Sequence, residues 1–158
     1  MKTLKISESK ARELYKTGSE ELKSILEESF GKEFFSQKIT DRIKSYEDAC
    51  SEIGIDPLNK EKLMDLGLTI HDIAYQKLVV IIKALNEGWE PDVCDSDICR
   101  WYPWFRPNRS ASSFAFDGSS YVNSFARAGS GSRLCFKSEE LSNYAGKQFI
   151  DIWKEFIL

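Results

Sequence analysis

From Trp89 to Lys137 the chain reads WEPDVCDSDICRWYPWFRPNRSASSFAFDGSSYVNSFARAGSGSRLCFK. The stretch holds ten of the twenty aromatic residues and five of the seven arginines, and it is where a helical pattern gives way to a strand-like one. Arg100 to Phe105 has the aromatic content of a β-strand. Phe114, Ala115 and Phe116 precede Asp117-Gly118, a pair that favours a two-residue turn, and Tyr121 to Phe125 would return as the second arm of a hairpin. Ser132 to Phe136 is a further short strand candidate. Successive side chains of a strand point to opposite faces, so Trp101, Pro103 and Phe105 cannot share the face of Tyr102 and Trp104. Either every ring finds a place in the core, or one set enters it and the other is presented outward.

Upstream, the apolar spacing is helical and the punctuation is clear. Ser7 or Ser9 caps a first helix that ends at Thr17-Gly18, and Ser19 caps a second that runs to Gly31. Ser45 and Asp48 have the spacing of a capping box and open a third helix that stops before Gly54. Asn59 begins a brief fourth helix ending at Gly67. Thr69 caps the strongest element, about Ile70 to Glu87, whose Ile73, Ala74, Lys77, Leu78, Ile81, Ile82 and Leu85 follow one face up to Gly88. Downstream, Ser138 caps a closing helix with Leu141, Tyr144, Ala145, Phe149, Ile152, Trp153 and Phe156 on one stripe. The expected fold is a single α+β domain over 1–158. Residues 1–88 form a helical part, 89–137 a small antiparallel sheet with loops, and 138–158 the closing helix.

Composition narrows the classes. With 158 residues, 42% hydrophobic and 30% charged, the chain can bury a sizeable core without a disulfide or metal. A net charge of −3 and a pI near 5.3 argue against a non-specific nucleic-acid binder, which needs clustered cations to neutralise phosphates. The longest apolar run, Leu78 to Ile82, is too short to cross a bilayer. Because the opening MKTLKISESKAREL has no apolar signal region, the expectation is a cytoplasmic protein with Cys50, Cys94, Cys99 and Cys135 as thiols.

Candidates for chemistry are sparse. His71, the single histidine, sits just after the Thr69 cap and has no partner in sequence to make it a general base. Cys94, Cys99 and Cys135 would need a fourth ligand for zinc, and Asp92, Asp95 and Asp97 lack the glycine and distal glutamate of a calcium loop. Gly129 to Arg133 lacks the lysine of a phosphate-binding loop. The helix from Ser45 carries Glu47, Asp48 and Glu52, which would repel DNA phosphates. No catalytic residue, metal or cofactor is therefore assigned. What remains is a recognition palette, because aromatic rings give rigid contact area and arginine gives planar charged forks. The binding residues it selects are Trp101, Tyr102, Trp104, Arg106, Arg109, Tyr121, Arg127 and Arg133.

Several short runs point to a relationship. Arg133 to Ser138, Tyr144 to Phe149, Ala84 to Pro91 and Tyr102 to Phe105, with Ser45 to Cys50 as an echo, resemble a family of small proteins carried by Bacteroidetes phages and related mobile elements. The resemblance implies a phage setting and no particular activity. More faintly, the run from Gly118 through Arg127 to Cys135 is similar to the last loop and strand of phage C-type-lectin-like binding domains, which implies ligand-contacting loops. The expected function is non-catalytic binding by an accessory or virion-associated protein, with a protein or small-molecule partner and a homo-oligomer as one form. The alternatives are a virion structural subunit whose aromatic surface is an assembly interface, and a small enzyme or nucleotide-sequestering protein.

Overall fold

The structure, a computed structural model, describes residues 6–92, 95, 97–107, 114–123 and 134–158. Seven helices come first: α1 (Glu8–Thr17), α2 (Glu20–Phe30), α3 (Lys32–Ser36), α4 (Ile39–Arg42), α5 (Tyr46–Ile53), α6 (Lys60–Asp65) and α7 (Ile70–Leu85). Strands β1 (Cys99–Pro107) and β2 (Phe114–Asn123) pair antiparallel, and α8 (Glu139–Gln148) and α9 (Ile150–Ile157) close the chain. The fold is α+β, with helices dominating the first half. Each expected cap is in place, since Ser7, Ser19, Ser45, Asn59, Thr69 and Ser138 all accept from a backbone N–H in the first turn. Thr69 and Asp72 form a second capping box beside that of Ser45 and Asp48, and hydrogen bonding in both holds the aspartate carboxyl below its usual range.

Helix α7 is the centre of the molecule. Ile73, Ala74, Leu78, Ile81, Ile82, Ala84 and Leu85 are buried along it, and it packs against α5 and against α9. Lys77, expected on the same face, is half-buried, with its ammonium 5.4 Å from the centroid of the Tyr46 ring. Tyr46 itself is buried and its hydroxyl accepts from Leu58 N; burial pushes its pKa up to about 12. His71, exposed at the first turn of α7, places Nδ1 2.8 Å from Glu155 O and so fastens α7 to α9.

The closing helix is two helices. The apolar stripe runs on from Leu141 to Phe156, but the backbone breaks at Phe149 (φ −110°, ψ 30°), which ends α8 and begins α9. The break lets α8 lie on the hairpin while α9 turns onto α7. Trp153 ties the two halves, donating from Nε1 to Ala145 O at 3.2 Å. Tyr144 Oη and Gln148 Nε2 donate to Ile43 O and Lys44 O, which fixes α8 to the start of α5.

The hairpin also departs from expectation. Asp117-Gly118 is no turn: it lies inside β2, where Trp104 pairs with Gly118 and Phe105 with Phe116, leaving Asp117 as the extra residue of a β-bulge. Phe114 to Phe116 and Tyr121 to Asn123 belong to the same strand and both pair with β1, and the connection between the strands falls in 108–113, outside the described residues. On the other edge of β1, Trp101 exchanges backbone hydrogen bonds with Phe136 at 3.0 and 2.7 Å, so Phe136 is strand-like at one position only.

A charge centre joins the first helices to the rest. Glu87 follows α7 at φ 53°, the single non-glycine positive φ among the described residues, a conformation costing roughly 1–2 kcal/mol. Its carboxylate receives Lys16 of α1 at 2.9 Å, Arg42 of α4 at 3.4 Å and Lys137, ahead of α8, at 3.1 Å. Burial opposes its ionisation, but the hydrogen bonds and charges of Lys16 and Lys137 outweigh burial and hold the carboxyl below the usual glutamate range.

Two outcomes follow from this packing. A Cβ added at Gly146 of α8 would stand 2.4 Å from the Phe116 ring and 3.0 Å from Pro103 Cβ. Gly146→Ala should therefore lower stability by about 1–3 kcal/mol in urea denaturation, although alanine is the better helix former by about 1 kcal/mol. Glu87→Gln should cost roughly 1 kcal/mol at neutral pH. Because the folded carboxyl is depressed, that difference from wild type is full above the ordinary glutamate value of about 4.3 and shrinks as pH falls through the folded value. A pH series of denaturation curves checks it.

Candidate functional site

Alternation along β1 sorts the aromatic residues into two sets. Phe105 stacks on Phe114 at 4.9 Å and meets Phe116 and Trp153 at 6.1 and 5.4 Å, and Pro103 lies against α8 at Gly146. Trp101 shares this inner face, packs on the core and meets Tyr121 at 5.0 Å. Ser119, opposite Pro103, bonds to the buried Ser142 of α8 at 2.7 Å. The inner face of the hairpin is thus core, and α8 fits it closely.

Tyr102, Trp104 and Arg106 point the other way. Trp104 is 54% exposed, with its ring 5.9 Å from that of half-buried Tyr102. Val122 belongs to the same face by register and is exposed; Tyr121, at the end of the inner face, is 51% exposed. Arg106 pairs with the bulge residue Asp117 at 2.5 Å, and that hydrogen bond raises its guanidinium pKa. The bulge therefore has a visible effect, placing a carboxylate where it satisfies the arginine beside Trp104.

Of the eight binding residues selected from sequence, Trp101, Tyr102, Trp104, Arg106 and Tyr121 come together on one ribbon. Trp101 serves the core more than the surface. Arg109, Arg127 and Arg133 lie outside the described residues, as do Cys94 and the segment Gly129 to Ser132. Arg100 on β1 is buried, and its charge acts on Cys135, whose thiol burial pushes up against that influence. Cys50 and Cys99 are free thiols, and Asp97 N donates to Asp95 Oδ1 in the acidic turn. Among the described residues no group of three or more His, Cys, Asp or Glu side chains could hold a metal ion, and no helix is long and apolar enough to cross a membrane.

The arrangement offers apolar and stacking contact on a strand held from behind, with one exposed ion pair at its edge.

Sequence reasoning missed a second cluster. Arg12 and Arg42, the two arginines outside the aromatic stretch, both line two adjoining cavities, one among α1, α4 and α5 and one between α1 and the α3–α4 segment. Their separation from the other five arginines is the signal in the sequence that marks them. Comparison of the chain with protein-family models, with curated proteins and with solved structures returns no match.

Proposed function

We propose that the protein is a non-catalytic binding module, a phage-type accessory or virion-associated protein that engages a macromolecular partner through the outer face of the β1–β2 hairpin. The observation that carries this reading is Trp104, which is more than half exposed on a strand whose alternate residues are locked into the core. Single exposed apolar residues are ordinary, but Trp104 stands with Tyr102 and Val122 on one face, a small cluster of the residue types that anchor interfaces. The phage setting rests on the resemblance of the runs around Tyr102–Phe105 and Arg133–Ser138.

A second reading, an assembly subunit, draws on Tyr121 and Val122. These neighbours are both exposed and carry apolar surface onto both faces at the end of β2, as contact with another copy of the chain would use.

Trp104→Ala should leave the melting transition within about 0.5 kcal/mol of wild type, because the side chain is largely in water already. It should weaken partner capture by about 2 kcal/mol or more, roughly thirtyfold. Capture is measured from infected-cell lysate and from purified virions. Phe105→Ala, on the inner face, should instead cost about 3–5 kcal/mol of stability. A folded Trp104→Ala protein that captures the same species as strongly as wild type overturns the reading. Sedimentation of the two proteins separates the alternatives, since self-association abolished by Trp104→Ala or Tyr121→Ala favours assembly.

A further inference from the structure

The helical half contains a cavity of about 200 Å³ between α1 and the α3–α4 segment, reaching Glu87 beyond α7. Four cations line it, Arg12, Lys16, Lys38 and Arg42, against the single carboxylate of Glu87. The adjoining cavity of about 260 Å³ shares Arg12 and Arg42 but balances them with Glu8, Asp41, Asp48 and Glu52. The surplus of positive charge therefore belongs to the smaller cavity.

The cations are unequally engaged. Arg42 has a side chain only 9% exposed; it pairs with Glu52 and Glu87, and its buried Nε has no hydrogen-bond partner. That nitrogen is sealed from the surface, so its unmet bond is a cost to the fold and not a contact for a ligand in the cavity. Arg12 donates to Phe34 O and lies over the Phe34 ring at 3.6 Å, but neither it nor Lys38 forms an ion pair among the described residues. Burial first, and then the charge of Arg42, lowers the Arg12 pKa, while the carboxylates of Glu52 and Glu8 act the other way. One wall is aromatic: Tyr15 and Phe35 stack at 4.0 Å, and Tyr15 Oη donates to Glu27 at 2.5 Å.

We propose that this cavity binds a phosphate group, as inorganic phosphate or a small phosphate monoester, with Arg12 and Lys38 supplying the main charge and Lys16 and Arg42 completing the site. With Glu52 offsetting Arg42 and Glu87 offsetting one more of the four cations, the surplus is about two positive charges, which a phosphate dianion matches, and arginine forks suit its oxygens. The volume lies below the roughly 300–1,000 Å³ of sites for drug-sized ligands, so the organic part is small or projects into solvent. This site is separate from the hairpin face, and neither requires the other.

The test is calorimetric titration of the full chain with inorganic phosphate and with glycerol 3-phosphate, against sodium chloride of equal ionic strength, together with thermal melts. Saturable one-to-one binding of at least one probe is expected, with a higher melting midpoint in its presence. If both bind, the phosphate group suffices; if only the ester binds, the organic part contributes; either result supports the site. Lys38 is exposed and its side chain makes no cap bond, so Lys38→Gln should fold as wild type and bind at least fivefold more weakly. Arg12→Gln should weaken binding further, and Lys38→Gln carries the test should that variant fail to fold. Binding of the ester should also fall below about pH 6, as its dianion takes up a proton and becomes the monoanion. No saturable binding of either probe beyond the chloride control overturns the proposal, as does wild-type affinity in folded Lys38→Gln.

Discussion

The side-chain amide of Asn86 holds the two halves of the molecule together. It is only 3% exposed, at the end of α7, and it uses both ends on the segment ahead of α8: Nδ2 donates to Cys135 O at 2.9 Å and Oδ1 accepts from Lys137 N at 3.0 Å. Phe136 is caught between these two bonds. Its side chain is fully buried, and its backbone pairs with Trp101 of β1. One buried amide thus sets the position of the hairpin relative to the central helix through a single intervening residue. A buried polar group must be satisfied, and here the satisfaction also fixes a register that apolar packing alone would leave free to slide.

Glu87, the next residue, extends the same junction to the first helices. Its left-handed backbone lies just past the helix end, and its carboxylate meets cations from α1, α4 and the segment before α8. Hydrogen-bonded ion pairs that draw on three elements outweigh the modest backbone cost, whereas a lone exposed pair would contribute little. The C-terminal end of α7 is consequently where the helical half, the hairpin and the closing helices meet.

Local chemistry was legible in the sequence wherever the partner is a near neighbour. The caps at Ser19, Ser45, Thr69 and Ser138 are decided within three residues, and the α7 face within one helical repeat. Asp117-Gly118 was not legible, because the same dipeptide suits a turn or a bulge and only pairing with Trp104 and Phe105 distinguishes them. The break at Phe149 was hidden for a related reason. The apolar stripe keeps helical spacing across it, and what bends the chain is the separate docking of α8 on the hairpin and α9 on α7. Helices α3 and α4, of five and four residues, are too short to show a period. The Glu87 centre joins residues 71 and 50 positions apart, beyond the reach of any local pattern. Among the selected residues, alternation identified the two faces of β1 but not which was outward; Gly146 decided it, by giving Pro103 and Phe116 room to approach α8.

That close approach bears on how the outer face would work as a contact surface. Phe105, Phe116 and Pro103 are wedged between α8 and Trp153 of α9, so the strand beneath Tyr102 and Trp104 has little freedom to lose when a partner arrives. A surface whose backbone is ordered beforehand gives up less entropy on association, and more of each aromatic contact then appears as affinity. Arg106 pairs with Asp117 at the exposed edge of the same strand, so its guanidinium already has an anionic partner. Among the described residues, Arg12 and Lys38 line the cavity of the helical half and form no ion pair.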